Sequence, residues 1–110
     1  MADLELLQGT LDVLVLKTLT WGPRHGYAVA RWIKETSDGT LAVEDRALYV
    51  ALHRLEERGL ISAEWGLSEN NRKAKFYELT AAGRRALRSK AADFTEYVDA
   101  VFKILRAAEA

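Results

Sequence analysis

EWGLSENNRKAKFYELT, residues 64–80, is the stretch on which the reading of this chain turns. Two short runs carrying aromatic residues flank a polar segment, GLSENNR (66–72), whose Gly, Ser and Asn are residues that turns favour. Just upstream, LISAEW (60–65) sets Ile61, Ala63 and Trp65 at period two, and AKFYEL (74–79) supplies a second strand with aromatic residues. The pair reads as a β-hairpin with a loop of several residues. Arg72, Lys73 and Lys75 gather at its tip, in a chain whose sixteen basic and sixteen acidic residues cancel. With no net charge to argue from, a nucleic-acid partner has to be judged by local placement.

Upstream of the hairpin, EDRALYVALHRLEERG (44–59) has the spacing of a helix, with acids at its start and Arg58-Gly59 at its end. Leu48, Leu52 and Leu55 define its buried side; at about 100° per residue Arg46, Tyr49, Val50 and His53 fall on the far side. An aromatic and a valine exposed together near a helix start invite a partner surface. HGYAVARWIKETSDG (25–39) reads as an earlier helix with Tyr27, Ala30 and Ile33 on one face and Gly39 near its stop. The first helix, TLDVLVLKTL (10–19), has Thr10 as a cap and Asp12 at the positive end of the dipole. It is apolar on nearly every side, so it must be covered on every side. Part of that cover is expected from a second copy, through Leu11, Leu14 and Val15. WGP (21–23) stops it.

From Thr80 onward the chain is expected to be helical. Leu87, Ala91, Phe94, Val98, Val101, Leu105 and Ala108 recur at alternating four- and three-residue steps, a heptad seam of about three heptads. Tyr97, Phe102 and Ile104 widen the apolar face. Leu87, Phe94, Val98, Val101 and Leu105 are the expected dimer contacts. Aromatic residues at helical spacing are more often packing than a ligand site, but Phe94, Tyr97 and Phe102 are also candidates to line an inter-subunit cavity for a small-molecule effector, with Trp21, Trp32 or Trp65 nearby.

Three helices, a hairpin and a long helix make a mainly α chain with a small β-hairpin. This is a winged helix-turn-helix followed by one long C-terminal dimerisation helix, divided at residues 1–80 and 81–110. In that arrangement the third helix enters the major groove. Arg46 suits a guanine edge and Val50 a thymine methyl. The wing would set Arg72, Lys73 and Lys75 against phosphates, and His25-Gly26-Tyr27 would open a helix whose N-terminal amides hold another.

The segments LLQGTLDVLVLKTL, WGPRHGY, LYVALHRLEERGLI, AEWG and FYELTAAGR, spread over nearly all of residues 6–85, resemble the PadR family of bacterial transcriptional regulators in its short C-terminal form. The resemblance implies a homodimeric repressor, often released from its promoter by a small molecule, with the third helix and wing on DNA and the first and last helices in the dimer. Two positions depart from the family's usual pattern: Val50 stands in place of a proline, and Arg46 in place of a small residue.

The remaining composition narrows the field. With 110 residues, 49% hydrophobic and 29% charged, the chain is an ordinary globular domain. It has no cysteine, and its two histidines lack the company of a metal site, so no metal or cofactor is expected. No glycine-rich phosphate loop, nucleophile elbow or spaced carboxylate pair is present, so an enzyme is not expected either. MADLELLQGT lacks a basic flank, and no apolar run reaches the ~18 residues of a membrane span, so a cytoplasmic protein with no membrane contact is the expectation. The expected partners are therefore double-stranded DNA with a pseudo-palindromic operator, and a second copy. Zero net charge keeps a rival open, a winged-helix protein-interaction module that does not bind DNA. A weaker third reading is a small-molecule sequestering protein built on the dimer cavity.

Overall fold

The computed structural model describes residues 9–109. The first three residues of the family-like segment 6–19 therefore lie outside the described residues. The helices are α1 (Thr10–Thr18), α2 (Gly26–Thr36), α3 (Asp45–Glu57) and α4 (Ala81–Leu105), and the strands are β1 (Arg24–His25), β2 (Ile61–Leu67) and β3 (Lys73–Leu79). The sheet is antiparallel in the order β1-β3-β2. The fold is thus mainly helical with a small sheet and a long last helix. The hairpin, however, has a third strand: Arg24 pairs with Tyr77 and His25 with Phe76.

One core joins α1, α2, α3 and the base of the sheet through Val15, Leu16, Leu19, Val29, Ile33, Leu48, Leu52, Leu55, Ile61, Tyr77 and Leu79. The leucines of α3 point inward as their spacing requires. Gly59, at φ +73°, closes that helix with the Leu60 amide donating to the Leu55 carbonyl at 3.0 Å, which turns the chain into β2. Asp12, buried at the start of α1, pairs with Arg54 of α3 and fixes those two helices to each other.

Three expectations are corrected here. Thr10 does not cap α1; Gly9 occupies that position and no side chain caps the helix. Val15 is not available to a second copy, because its own chain buries it completely, and Leu11 and Leu14 pack partly buried against the same core. Most of the cover that α1 needs comes from α2, α3 and α4 of the same molecule. In α2 the buried face is Gly26, Val29 and Ile33, while Tyr27 is 66% exposed. The β1 pairing holds the residues that lead into α2 against the sheet.

The base of α4 is anchored at the α3–β2 corner. The Thr80 hydroxyl accepts from the Gly83 amide at 3.0 Å and donates to the Gly59 carbonyl at 2.7 Å, and the Thr80 amide donates to the Leu60 carbonyl at 3.2 Å. Gly83 is packed so tightly that a β-carbon there would overlap the Leu60 carbonyl oxygen. Beyond this joint the helix runs ~37 Å and none of its later residues is buried. It ends at Leu105, so Ala108, the last expected member of the seam, lies past the helix. The molecule measures 61 × 33 × 22 Å with a radius of gyration of 15.7 Å, against about 13 Å for a compact chain of this length. Among the described residues no helix is long and apolar enough to cross a membrane.

Candidate nucleic-acid interface

Directly opposed residues of an antiparallel pair share one face of the sheet. The register Ile61 with Leu79, Ala63 with Tyr77, Trp65 with Lys75 and Leu67 with Lys73 therefore defines a single continuous face. At the body it is apolar and closes the core. Farther out the same alternation delivers Trp65, Lys75 and Lys73, and the face becomes the wall of an open groove. The other walls are the first turns of α2 and Tyr49 of α3. The groove encloses about 690 Å³ and, among the described residues, carries four cations, Arg31, Arg72, Lys73 and Lys75, against one acid, Glu69. The groove thus holds more cations than acids although the chain has no net charge.

The groove brings together His25, Gly26, Tyr27, Tyr49, Arg72, Lys73 and Lys75. Tyr49 reaches it from the outward face of α3, where Arg46, Val50 and His53 are also exposed. His53 has its Nε2 3.3 Å from Glu57, one turn farther along the same surface.

The three wing cations are not equivalent. Only Arg72 belongs to the loop Ser68–Arg72, which is closed by the Ser68 amide donating to the Arg72 carbonyl at 2.8 Å. Lys73 begins β3, and its ammonium lies 5.1 Å above the Trp65 ring. Lys75 is farther in, partly buried, 3.3 Å from Glu56 of α3 and 5.6 Å above Tyr77. The expectation of three cations at the tip is corrected to one in the loop, one at its edge and one that ties the wing to α3. β3 starts at Lys73, directly after the turn residues, so Lys75 lies two residues into the strand. Burial pushes the Tyr77 hydroxyl above its ordinary 10.0, with the Lys75 ammonium pulling the other way.

His25 caps α2, its Nδ1 accepting from the Ala28 amide at 3.2 Å, and its ring meets Phe76 edge-on at 5.5 Å. The cap takes one of the amides expected to hold a phosphate, and Gly26 is buried. Sequence reasoning does not place Arg31, Trp65 or Tyr77 toward DNA. Strand period links Trp65 and Tyr77 to the lysines, and the one-turn spacing that sets the Arg31 guanidinium 5.6 Å over Tyr27 links the fourth cation.

The proposed effector residues lie on open helix surface: Tyr97 is 61% and Phe102 43% exposed, and Phe94 is partly covered. Trp21 and Trp32 pair with each other at 5.5 Å, and Trp65 belongs to the wing.

The sequence model of the transcriptional regulator PadR-like family matches residues 15–89, from α1 through the sheet and into α4. The chain belongs to the PadR-like family. That is a family of transcriptional regulators and not of enzymes. A PadR-family transcriptional regulator from Eggerthella lenta is 35% identical, with a TM-score of 0.74 over 92% of this chain and 86% of that one. A transcriptional regulator from Clostridium thermocellum has a TM-score of 0.81 at 24% identity, covering 90% of this chain and 93% of that one. Bacillus subtilis PadR, solved in complex with operator DNA, shares the fold with a TM-score of 0.66 at 23% identity, over 76% of this chain and 47% of that one.

Proposed function

We propose that this PadR-like regulator is a dimeric, sequence-specific DNA-binding repressor. Residues 1–80 form its DNA-binding unit and residues 81–110 its dimerisation segment. The observation that carries the reading is the position of Tyr49, which belongs both to the outward face of α3 and to the cation-lined groove of the wing. One duplex laid against that side meets α3 in its major groove and the wing on its backbone. Arg46, Tyr49, Val50 and His53 then face base edges and neighbouring phosphates, while Arg31, Arg72 and Lys73 meet phosphates. The operator complex of Bacillus subtilis PadR supports the same use of the shared fold.

Dimerisation is supported by the apolar residues that α4 leaves in water, Tyr97, Phe102, Ile104 and Leu105 among them. Two third helices joined along α4 would enter successive major grooves roughly 34–36 Å apart on a pseudo-palindrome. Phe94, Tyr97 and Phe102 become the walls of an effector cavity only when a second α4 faces them, and a ligand there would change the separation of the half-sites.

Binding to duplex DNA as a function of salt tests the proposal. A regulator of this kind shows a log–log salt slope of about −0.9 per neutralised phosphate and prefers a fragment upstream of the gene it controls. Absence of duplex binding at low salt would leave the interaction-module reading, which zero net charge keeps open.

A further inference from the structure

The backbone of α2 does not require the glycine with which it opens. Gly9, Gly22, Gly39 and Gly59 occupy positive φ, and Gly26 does not. It stands at the first position of a helix, where glycine is a poorer former than alanine. What a side chain there would displace is Tyr49. A β-carbon on Gly26 would lie 2.8 Å from the Tyr49 hydroxyl oxygen and 3.0 Å from Cε1 and Cζ, well inside an ordinary contact of ~3.5–4.0 Å. The ring reaches across from α3 and rests on bare backbone.

That backbone is held in place from both sides. The residue before it, His25, is paired with Phe76 in the sheet, packs edge-on against the Phe76 ring at 5.5 Å and caps α2 through Ala28 at 3.2 Å. Gly26 is therefore a fixed floor. Tyr49, by contrast, is 52% exposed and has two side-chain torsions free to turn. A ring in that situation keeps one orientation only if something underneath selects it.

We infer that Gly26 is a positioning residue for DNA reading: its missing side chain seats the Tyr49 ring in the groove that Tyr49 shares with Trp65 and Lys73. The role rests on the reading in which Tyr49 touches operator DNA. Gly26 touches no base itself. It sets the angle at which Tyr49 meets one, so selectivity depends on a residue buried behind the interface.

The test uses Gly26→Ala, Tyr49→Ala and the double variant in the full chain. Ring-proton resonances of Tyr49, assigned by their loss in Tyr49→Ala, report the seat without DNA. Gly26→Ala should move them. Operator affinity of Gly26→Ala should fall about tenfold, the scale of a single base-edge interaction, with random-duplex affinity unchanged. In the Tyr49→Ala background the glycine substitution should cost nothing more. Unmoved resonances overturn the seating. A loss that persists without Tyr49 overturns it as well, since Gly26 would then act through its own backbone. If Tyr49→Ala keeps full operator affinity, base reading by Tyr49 fails and this role fails with it, even where the resonances have moved. Should Gly26→Ala alone not fold, the double variant relieves the overlap: recovery of folding supports the seat, and continued failure to fold overturns it.

Discussion

The body of the protein and its last helix solve the same problem in opposite ways. In the body, apolar residues find cover within one chain: Val15, Leu16, Val29, Leu52 and Leu55 are wholly buried, and even the all-round apolar α1 is wrapped by its neighbours. In α4 the apolar residues are as regular, yet Ile104 is 77% and Leu105 72% exposed, and Gly83 is the only residue of that helix to be buried among those described. Leaving a large apolar side chain in water forgoes about 1.5–3 kcal/mol. The body covers its apolar residues within one chain, whereas α4 leaves several of its own exposed, which is why the proposed dimer is placed there.

The strongest test of that contrast places charge in the seam. Val98→Asp with Val101→Lys should separate the dimer in sedimentation velocity and lower operator affinity in a shift assay by about 10²–10⁴, the gain expected from linking two modules. A monomeric variant with undiminished operator binding would remove the reason for the seam. The joint comes next. Gly83→Ala forces an atom against the Leu60 carbonyl and should destabilise the folded chain by about 1–3 kcal/mol, which calorimetry reads as a lowered thermal midpoint. An unchanged midpoint would mean that α4 is not tied to the body at this point.

Substitutions on the body's outer surface should leave the dimer intact. Tyr49→Ala or Arg46→Ala should cost ~1–3 kcal/mol on operator and little on random duplex; equal losses on both would assign these residues to the backbone of the DNA. The smallest effect is expected at the wing. Arg72→Ala with Lys73→Ala should weaken binding to operator and random DNA alike and lower the salt slope by about 0.9 for each phosphate left without its cation. Lys75→Ala, which frees Glu56, should change that slope less than either. A larger change at Lys75 would mean that this lysine leaves α3 to meet DNA.

How far the sequence can be read follows from how local each signal is. The four helices, the hairpin and the outward set on α3 rest on periodicity, and periodicity is local. β1 is two residues long and exists only because β3 passes beside it, so nothing within Arg24-His25 announces it. Turn chemistry ends at Arg72, which puts Lys75 near the tip on sequence grounds, while the partner that draws it inward, Glu56, is nineteen residues away. Val15 looks like a dimer contact because a helix wheel shows that cover is needed but not who supplies it. The groove itself is half legible: the cations stand out, but the register that sets Trp65 opposite Lys75 belongs to the sheet.

The joint at Gly59, Leu60 and Thr80 has a mechanical meaning. It sits where α3 ends and α4 begins, so the two helices share a pivot, with the exposed side chains of α3 on a short arm and the far end of α4 on a long one. On an arm of ~37 Å a tilt of about 5° sweeps the tip through ~3 Å. If two copies pair along α4 as proposed, a slip or splay between the tips would be geared down at the pivot into a fine rotation of the two α3 helices. A device of that kind exchanges coarse travel at one end for angular precision at the other, and its accuracy depends on how little play the Gly83–Leu60 contact allows.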